Sequence, residues 1–334
     1  MRKLAVGISA GILVAGMTAG VARSQGAGSQ GVVSHHQVTK AEYDRWKTEL
    51  SNWGRWGKED QMGALNLITA AKRKQAAALV KDGVTVSLAV DANFQKGTGA
   101  NAVAPYERIV TQAAATGAAD RLNINFHGSA VTHIDAFAHR FFDGKMYNGF
   151  SWEEITREDG AKKNSIYNLR AGIMTRGILM DIPRLKGVEY LEPGTRIYPE
   201  DLEAWEKKTG LKVSAGDAVF IRVGRWTRMK KNPSAAPGPQ AGVDPSVIPW
   251  LKKRDVALLG GESPQDAPAQ GDMPGLAVHD FVLVSLGVHL FDNCSLDEVA
   301  EAAAARNRWE FMLVAAPLRV PGGTGSPVSP IAAF

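Results

Sequence analysis

Two hydrophobic patterns alternate along most of the chain: apolar runs as long as strands, and amphipathic stretches as long as helices. Apolar runs predict strands at Val84–Val90, Thr175–Ile182, Asp217–Val223 and Val256–Leu259. Start and stop residues predict helices over Ala41–Leu50, from Thr69 to about Lys81, from Pro199 to Gly210, and from a Ser295–Glu298 capping box to Asn307. The alternation predicts a mixed α/β fold, with a twisted sheet flanked by helices.

Five other segments extend or interrupt this pattern. Ala92–Asp120 is rich in Gly, Ala and Thr and predicts a long loop, after which Leu122–Phe126 alternates like a half-buried strand. The Pro- and Gly-rich stretch Asn232–Asp244 predicts a surface loop that covers a cleft. Phe281–Val288 is a further apolar run, and Pro317–Pro330 predicts a tail packed against the fold.

The N-terminus has the pattern of an export signal. Arg2 and Lys3 precede the apolar stretch Leu4–Ala22, and a small-residue cleavage site follows. We therefore expect a signal peptide over residues 1–24, a flexible leader over 25–38 and a single domain over 39–334, exported to the periplasm or secreted. A retained membrane anchor is the alternative; no other segment is apolar enough to cross a bilayer.

Charge and cysteine content exclude some classes of function. The net charge is +5, but removing Arg2, Lys3 and Arg23 from the 39 basic residues leaves 36 against 34 acidic ones. So small an excess, without a basic stripe, argues against nucleic acid as a partner. Cys294 is the only cysteine, so no internal disulfide can form.

The candidate chemistry is concentrated in the stretch HGSAVTHIDAFAH, from His127 to His139. In an extended strand, His127, His133, Asp135 and His139 have the same parity and share one face. Three imidazoles and a carboxylate on one face can bind a divalent metal, Zn²⁺ or Mn²⁺, as one ion or two. The alternative is an alternating strand whose polar residues face solvent. Farther along, the Gly260-Gly261 turn delivers the carboxylate of Glu262.

This stretch resembles the signature of the cyclase-type metal-dependent hydrolases, a family that includes bacterial kynurenine formamidase and isatin hydrolase. The family pattern is His-x-Gly-Thr-His-x-Asp-x-Pro-x-His, and Thr132, His133, Asp135 and His139 match its Thr, second His, Asp and last His. Ser129, Val131 and Phe137 depart from it at the first His, the Gly and the Pro. His127 could supply the missing imidazole from a shifted position.

The resemblance has several implications for fold and site. It implies a swivelling β/β/α architecture, a homo-oligomer, His133 and Asp135 as metal ligands, and His139 at the reacting centre. His279 and Asp292 match the residues that complete the metal or proton-transfer site, with Asp in place of the usual Glu. Tyr147, in a Tyr-Asn-Gly segment like those of longer family members, could contact substrate or pack against its loop.

The expected function is metal-dependent hydrolysis of a small amide, formamide or lactam, arylformamidase-like, at C–N bonds other than peptide bonds. His139 would act as general base toward a metal-activated water. The rival hypothesis is an exported, non-catalytic protein that binds a small molecule in a degenerate metal site.

Overall fold

The computed structural model describes residues 35–92, 106–128, 130–232 and 240–334. The expected signal peptide, most of the expected leader and Ser129 lie outside the described residues. His36–Phe334 forms one compact unit. Among the residues that the structure describes, no helix combines the length and apolar character needed to cross a membrane.

Short helices and strands follow one another along the described chain. The helices are α1 (Lys40–Glu49), α2 (Ala70–Ala77), α3 (Ile182–Lys186), α4 (Pro199–Thr209), α5 (Arg225–Lys231), α6 (Ile248–Lys253), α7 (Ala277–Phe281) and α8 (Asp297–Arg306). The strands are β1 (Thr85–Ser87), β2 (Glu107–Ala114), β3 (Gly117–Asn123), β4 (His133–Asp135), β5 (Ile155–Thr156), β6 (Gly160–Ala161), β7 (Ile173–Asp181), β8 (Arg196–Ile197), β9 (Ala218–Arg222), β10 (Gly242–Val243), β11 (Leu258–Gly261), β12 (His289–Asp292), β13 (Glu310–Ala315), β14 (Gly325–Pro327) and β15 (Ile331–Ala333).

A mixed sheet organises the described part of the chain, in the order β1-β15-β13-β7-β9-β11-β12-β4-β14. Its centre, β7-β9-β11-β12, is parallel, whereas β13, β15 and β1 on one side and β4 and β14 on the other pair antiparallel. Parallel strands are covered on both faces, which explains why β9 is buried along its whole length and is apolar at every position except Arg222. The α/β prediction of a mixed sheet flanked by helices is confirmed.

Helix α4 shows how a sequence signal becomes a packed element. Pro199 is its first residue, the Asp201 carboxylate accepts a hydrogen bond from the Tyr198 amide at 3.0 Å, and Gly210 ends it with φ of 73°. Its buried face places Trp205 edge-on to Trp309, with ring centroids 4.8 Å apart. The helix and strand predictions at Pro199 and at Thr175–Ile182 are confirmed.

The region before the histidines differs from the prediction. Glu107–Ala114 and Gly117–Asn123 form an exposed antiparallel hairpin, so the loop prediction for Ala92–Asp120 is wrong over its described second half. The half-buried strand predicted at Leu122–Phe126 is also wrong, because β3 ends at Asn123 and Leu122 is 50% exposed. The two strands satisfy each other's backbone hydrogen bonds, so they need no core to form a ladder.

The structure corrects or completes further predictions. Helix α2 ends near Ala77 rather than Lys81. Helix α8 has the predicted extent, but its N-cap is Leu296 without a side-chain cap bond, so the capping box is absent. Residues 233–239 of the predicted surface loop lie outside the described residues, and Gly242–Val243 is buried because it pairs with β8. The apolar run Phe281–Val288 is helical through most of its length, with a π-helical turn at Val282–Leu286 after α7.

Candidate metal centre

Asp135 lies near one edge of the main sheet, between the tail strand β14 and the inner strand β12. It is the last residue of β4, which pairs antiparallel with β12 on one side and β14 on the other. The register puts Asp292 opposite His133, and alternation puts His133 and Asp135 on the same face. All three side chains are buried. The sheet thus brings two carboxylates and an imidazole together.

Four imidazoles face the Asp135 carboxylate. His127 Nδ1 and His133 Nε2 lie 3.0 Å and 3.7 Å from its Oδ1. His279 Nε2 and His139 Nε2 lie 3.1 Å and 3.9 Å from its Oδ2. Every histidine and aspartate predicted for the metal or catalytic site, apart from Asp292, therefore contacts or approaches one carboxylate.

The predicted reason for this convergence is wrong, although the convergence occurs. Only His133 and Asp135 belong to β4; His127 lies in the segment before it, and His139 ends a 3-10 turn, Phe137–His139. The residues meet because the chain turns on both sides of a three-residue strand, not because one strand alternates. His127 and His139 stack face to face, with ring centroids 3.9 Å apart and an interplanar angle of 3°.

His279 arrives from a separate part of the chain. It lies in α7, a helix of five residues whose first turn is held by the Asp266 carboxylate. Asp266 accepts hydrogen bonds from the Val278 amide at 2.6 Å and the His279 amide at 3.0 Å. Asp266 therefore holds the backbone that directs His279 toward Asp135.

Burial controls the protonation of these groups. It lowers the pKa of His139 to about 4, against the opposing charge of Asp135, and lowers the pKa of His133 and His279 as well. Burial raises the pKa of Asp135, but the imidazoles of His127, His133 and its other neighbours outweigh this and hold that pKa below its usual range. At neutral pH the site therefore favours neutral imidazoles at His133, His139 and His279 beside a charged Asp135, the state in which both kinds of group can bind a metal.

The donor atoms fit a divalent metal ion. Asp135 Oδ1 and His127 Nδ1, which lie 3.0 Å apart, are buried and have no hydrogen-bond partner among the described residues. Unpaired buried polar atoms are costly, so their presence on convergent side chains is an observation in favour of a ligand between them. Nitrogen and carboxylate donors suit zinc or manganese.

Two donor groups of this kind occur among the described residues. One contains His127, Asp135 and His139, and the other His133, Asp135 and Asp292, with the ligand atoms of each group within 4.8 Å of one another. Asp135 belongs to both. The arrangement can hold one ion at either group, or two ions that share Asp135.

Two of the four imidazoles are more exposed than the other two. The side chains of His127 and His139 are 24% and 23% exposed, whereas those of His133 and His279 are 4% and 3% exposed. A small molecule can therefore approach past His127 and His139, with Phe126 next to His127 at a ring-centroid distance of 4.4 Å.

Asp292 is buried and is hydrogen-bonded at one carboxylate oxygen. Its Oδ1 accepts a hydrogen bond from Gln265 Nε2 at 3.1 Å. Burial, and then the charge of Asp135, raise its pKa well above the ordinary value. The shorter Asp side chain thus stands in a ligand group, next to His133, where the resemblance implied a Glu.

The other two pocket candidates make structural contacts. Glu262 Oε2 accepts hydrogen bonds from the amides of Val223, Gly224 and Arg225, and neither donor group found in the described residues includes it. Tyr147 is fully buried, and its hydroxyl donates to Asp60 at 3.1 Å. Of the two interpretations of Tyr147, its contacts match packing against the loop.

His289 was given no role in the sequence analysis. Its ring is buried and stacks on Phe137 with centroids 3.9 Å apart, and its Nδ1 lies 2.8 Å from the Asp135 carbonyl oxygen. The only sequence signal was its position three residues before Asp292 at the end of an apolar run. Because His289 contacts a backbone carbonyl group of the paired strand β4, its position follows from strand pairing and not from a sequence motif.

The fold and site define a class: α/β proteins with a set of His and Asp candidate metal ligands gathered on and around a short strand of a mixed sheet. The family model named Cyclase matches residues 83–265, and the chain belongs to this family. The resemblance noted in the sequence is thereby confirmed. None of the curated proteins compared with the chain matches it.

Solved structures share the fold. A crystal structure described as a novel cyclase matches with a TM-score of 0.77 at 29% identity, over 85% of this chain and 99% of that one. Isatin hydrolase A from Labrenzia aggregata, bound to benzyl benzoate, matches with a TM-score of 0.54 at 18% identity, over 78% and 96%. An isatin hydrolase bound to the product analogue thioisatinate matches with a TM-score of 0.50 at 17% identity, over 81% and 98%. At these identities, the two hydrolases are evidence for the fold alone.

Proposed function

We propose that this protein is a metal-dependent hydrolase that cleaves the C–N bond of a small amide, formamide or lactam. The observation that carries the proposal is the buried Asp135 carboxylate, which four imidazoles face while its Oδ1 has no hydrogen-bond partner among the described residues. The shared fold of isatin hydrolase, which by its name acts on a lactam, supports this substrate class.

His127, His133, Asp135 and Asp292 are the residues that would hold the metal. A divalent ion supplies a Lewis acid that acidifies water and polarises a carbonyl group. In hydrolysis, the water oxygen bonds to the carbonyl carbon, the C–N bond breaks, and one water proton must reach the departing nitrogen.

His139 is best placed to carry that proton. Because burial lowers its pKa to about 4, it is neutral at pH 7 and can accept a proton from the attacking water. Its side chain is 23% exposed, against 3% for His279. The Nε2 of His279 already contacts Asp135, so we assign His279 to holding the carboxylate in place.

Metal content and activity, measured together, test the proposal. We expect the purified protein to contain zinc or manganese and to hydrolyse isatin, an N-formyl arylamine or a related lactam in a spectrophotometric assay. His133→Ala and Asp135→Ala should lose metal and activity together. His139→Ala should keep most of the metal while activity falls by roughly 10²–10⁴, as for a lost general base.

The matched control is His36→Ala, because His36 is exposed and pairs with Glu42 instead of facing the site. This variant should keep both metal and activity. If His139→Ala empties the site as fully as His133→Ala, then His139 is a ligand and not the base. A wild-type protein without stoichiometric metal or hydrolysis would favour the rival function, a non-catalytic binding protein.

A further inference from the structure

The imidazole of His127 is held at both of its nitrogens. Its Nε2 lies 3.0 Å from the hydroxyl of Thr324, in the tail, and its Nδ1 lies 3.0 Å from Asp135 Oδ1. Only the first of these contacts has hydrogen-bond geometry, since Nδ1 has no hydrogen-bond partner among the residues described. The two ends of the ring therefore have different roles.

The tail reaches His127 because it is part of the sheet. Strand β14 pairs with β4 so that Gly325 lies opposite Asp135, and the Thr324 carbonyl accepts a hydrogen bond from the Ala136 amide at 3.0 Å. A Cβ atom at Gly325 would lie 2.9 Å from His127 Cε1 and 2.7 Å from the Ile134 carbonyl oxygen. Only glycine therefore lets the tail backbone approach the ring this closely.

Protonation chemistry connects these contacts. A neutral imidazole carries one proton, and only the other nitrogen can bind a metal. If His127 binds a metal through Nδ1, which faces Asp135 Oδ1 at 3.0 Å, its proton belongs on Nε2, where it can be donated to the Thr324 hydroxyl. A partner on the outer nitrogen is what commonly sets the tautomer and orientation of a metal-binding histidine.

We propose that Thr324 is a positioning residue that keeps His127 protonated on Nε2 and directs the Nδ1 lone pair toward the metal position beside Asp135. This inference rests on the metal site of the proposed function. It gives the tail a role in ligand geometry, and it explains how a histidine two residues before the family position can serve.

The tautomer can be measured without metal. In metal-free protein with ¹⁵N-labelled histidine, long-range ¹H–¹⁵N spectra should show His127 as the Nε2-protonated tautomer, identified by the signal lost in His127→Ala. Thr324→Val removes the hydroxyl at nearly constant volume and should mix the tautomers, whereas Thr324→Ser should restore the wild-type spectrum. An unchanged His127 signal in a folded Thr324→Val protein would overturn the proposal.

Metal affinity provides the second measurement. In zinc titrations, Thr324→Val should weaken binding roughly 10-fold, at the low end of the 10–100-fold typical for outer partners of ligands. In a His127→Ala background, Thr324→Val should cause no further loss, because its effect passes through His127. Equal losses in both backgrounds would show that Thr324 acts on the fold and not on the ligand.

Ser326→Ala is the matched control, because the Ser326 hydroxyl accepts a hydrogen bond from the Leu318 amide in the same tail. This variant should leave the tautomer and zinc affinity unchanged; an equal effect would mean that any loss in the tail disturbs the site. If Thr324→Val does not fold, Gly325→Ala tests the same contact, because the added methyl group crowds the His127 ring. If wild type binds no zinc, the proposed function fails, while the metal-free spectra still decide the role of Thr324.

Discussion

Two fully buried carboxylates show how neighbours decide the charge of a residue. Asp135 is surrounded by imidazoles and its pKa is lowered, whereas burial raises the pKa of Glu262 to about 7. Glu262 does accept three backbone hydrogen bonds, and Arg222 attracts its charged form, but these contacts do not offset its burial. Equal burial thus leaves one group charged and the other close to half-protonated at neutral pH.

This difference predicts how stability depends on pH. Below pH 4.5, Glu262 is protonated in both states; between pH 4.5 and about 7, only the unfolded chain releases the proton, so its contribution to stability falls as pH rises. Glu262→Gln does not titrate, so its unfolding free energy relative to wild type should rise by roughly 3 kcal/mol over this range. Urea unfolding of metal-free protein at several pH values measures it.

The exposed Glu158 is the control for this series, since Glu158→Gln should run parallel to wild type at every pH. Should the Glu262→Gln curve also run parallel to wild type, the carboxylate would be charged throughout, with its backbone hydrogen bonds outweighing burial.

At the scale of the elements, α7 depends on a residue outside itself. It has five residues, far fewer than an isolated helix needs, and its N-cap Leu276 offers no side-chain acceptor. The distant Asp266 accepts from two buried amides of its first turn and so replaces a local cap. A helix that carries a site histidine is therefore fixed by a loop residue.

Removing this acceptor should destabilise the protein measurably. Asp266→Ala leaves two buried amide donors unpaired, and we expect a loss of about 2–4 kcal/mol in the free energy of unfolding. Asp266→Asn retains one acceptor oxygen and should lose less. Urea unfolding of metal-free protein gives both values.

The control is Asp272→Asn, an exposed carboxylate in the same loop, which should stay within about 0.5 kcal/mol of wild type. Equal stability of Asp266→Ala and this control would mean that the amides of α7 find other partners.

At the scale of the whole molecule, the metal centre joins distant parts of the chain. Its candidate ligands come from the segment His127–His139 and from β12, and its supporting contacts come from α7 and the tail. The unfolded chain cannot hold these groups together. Metal binding is therefore linked to folding.

We predict that zinc raises the melting temperature of the metal-free protein. At a free concentration 100 times the dissociation constant, the linkage amounts to about 2.7 kcal/mol, or roughly 4 °C for a protein of this size. Thermal unfolding followed by circular dichroism, with and without zinc, measures the shift. In Asp135→Asn the shift should largely disappear; a shift of equal size there would place the stabilising zinc elsewhere.

The sequence by itself determined the elements whose signals are local. Strand β9 is an apolar run interrupted only by Arg222, and α4 has Pro199 at its start and Gly210 at its end, so hydrophobic pattern and backbone preference suffice. His133, Asp135 and His139 were also recognisable, because their spacing is short and their residue types bind metals. These features depend on neighbours within a few positions.

Tertiary structure alone decided the contacts that complete the site and the core. Arg222 forms ion pairs with Asp181 of β7 and Asp297 of α8. Thr324 reaches His127 only through the pairing of β14 with β4. Strand parity gave the wrong geometry for the histidines because the extended strand β4 has only three residues, and the chain turns before and after it. Such contacts depend on which strands pair and in what register, and that is set by the packing of the whole core and not by local pattern.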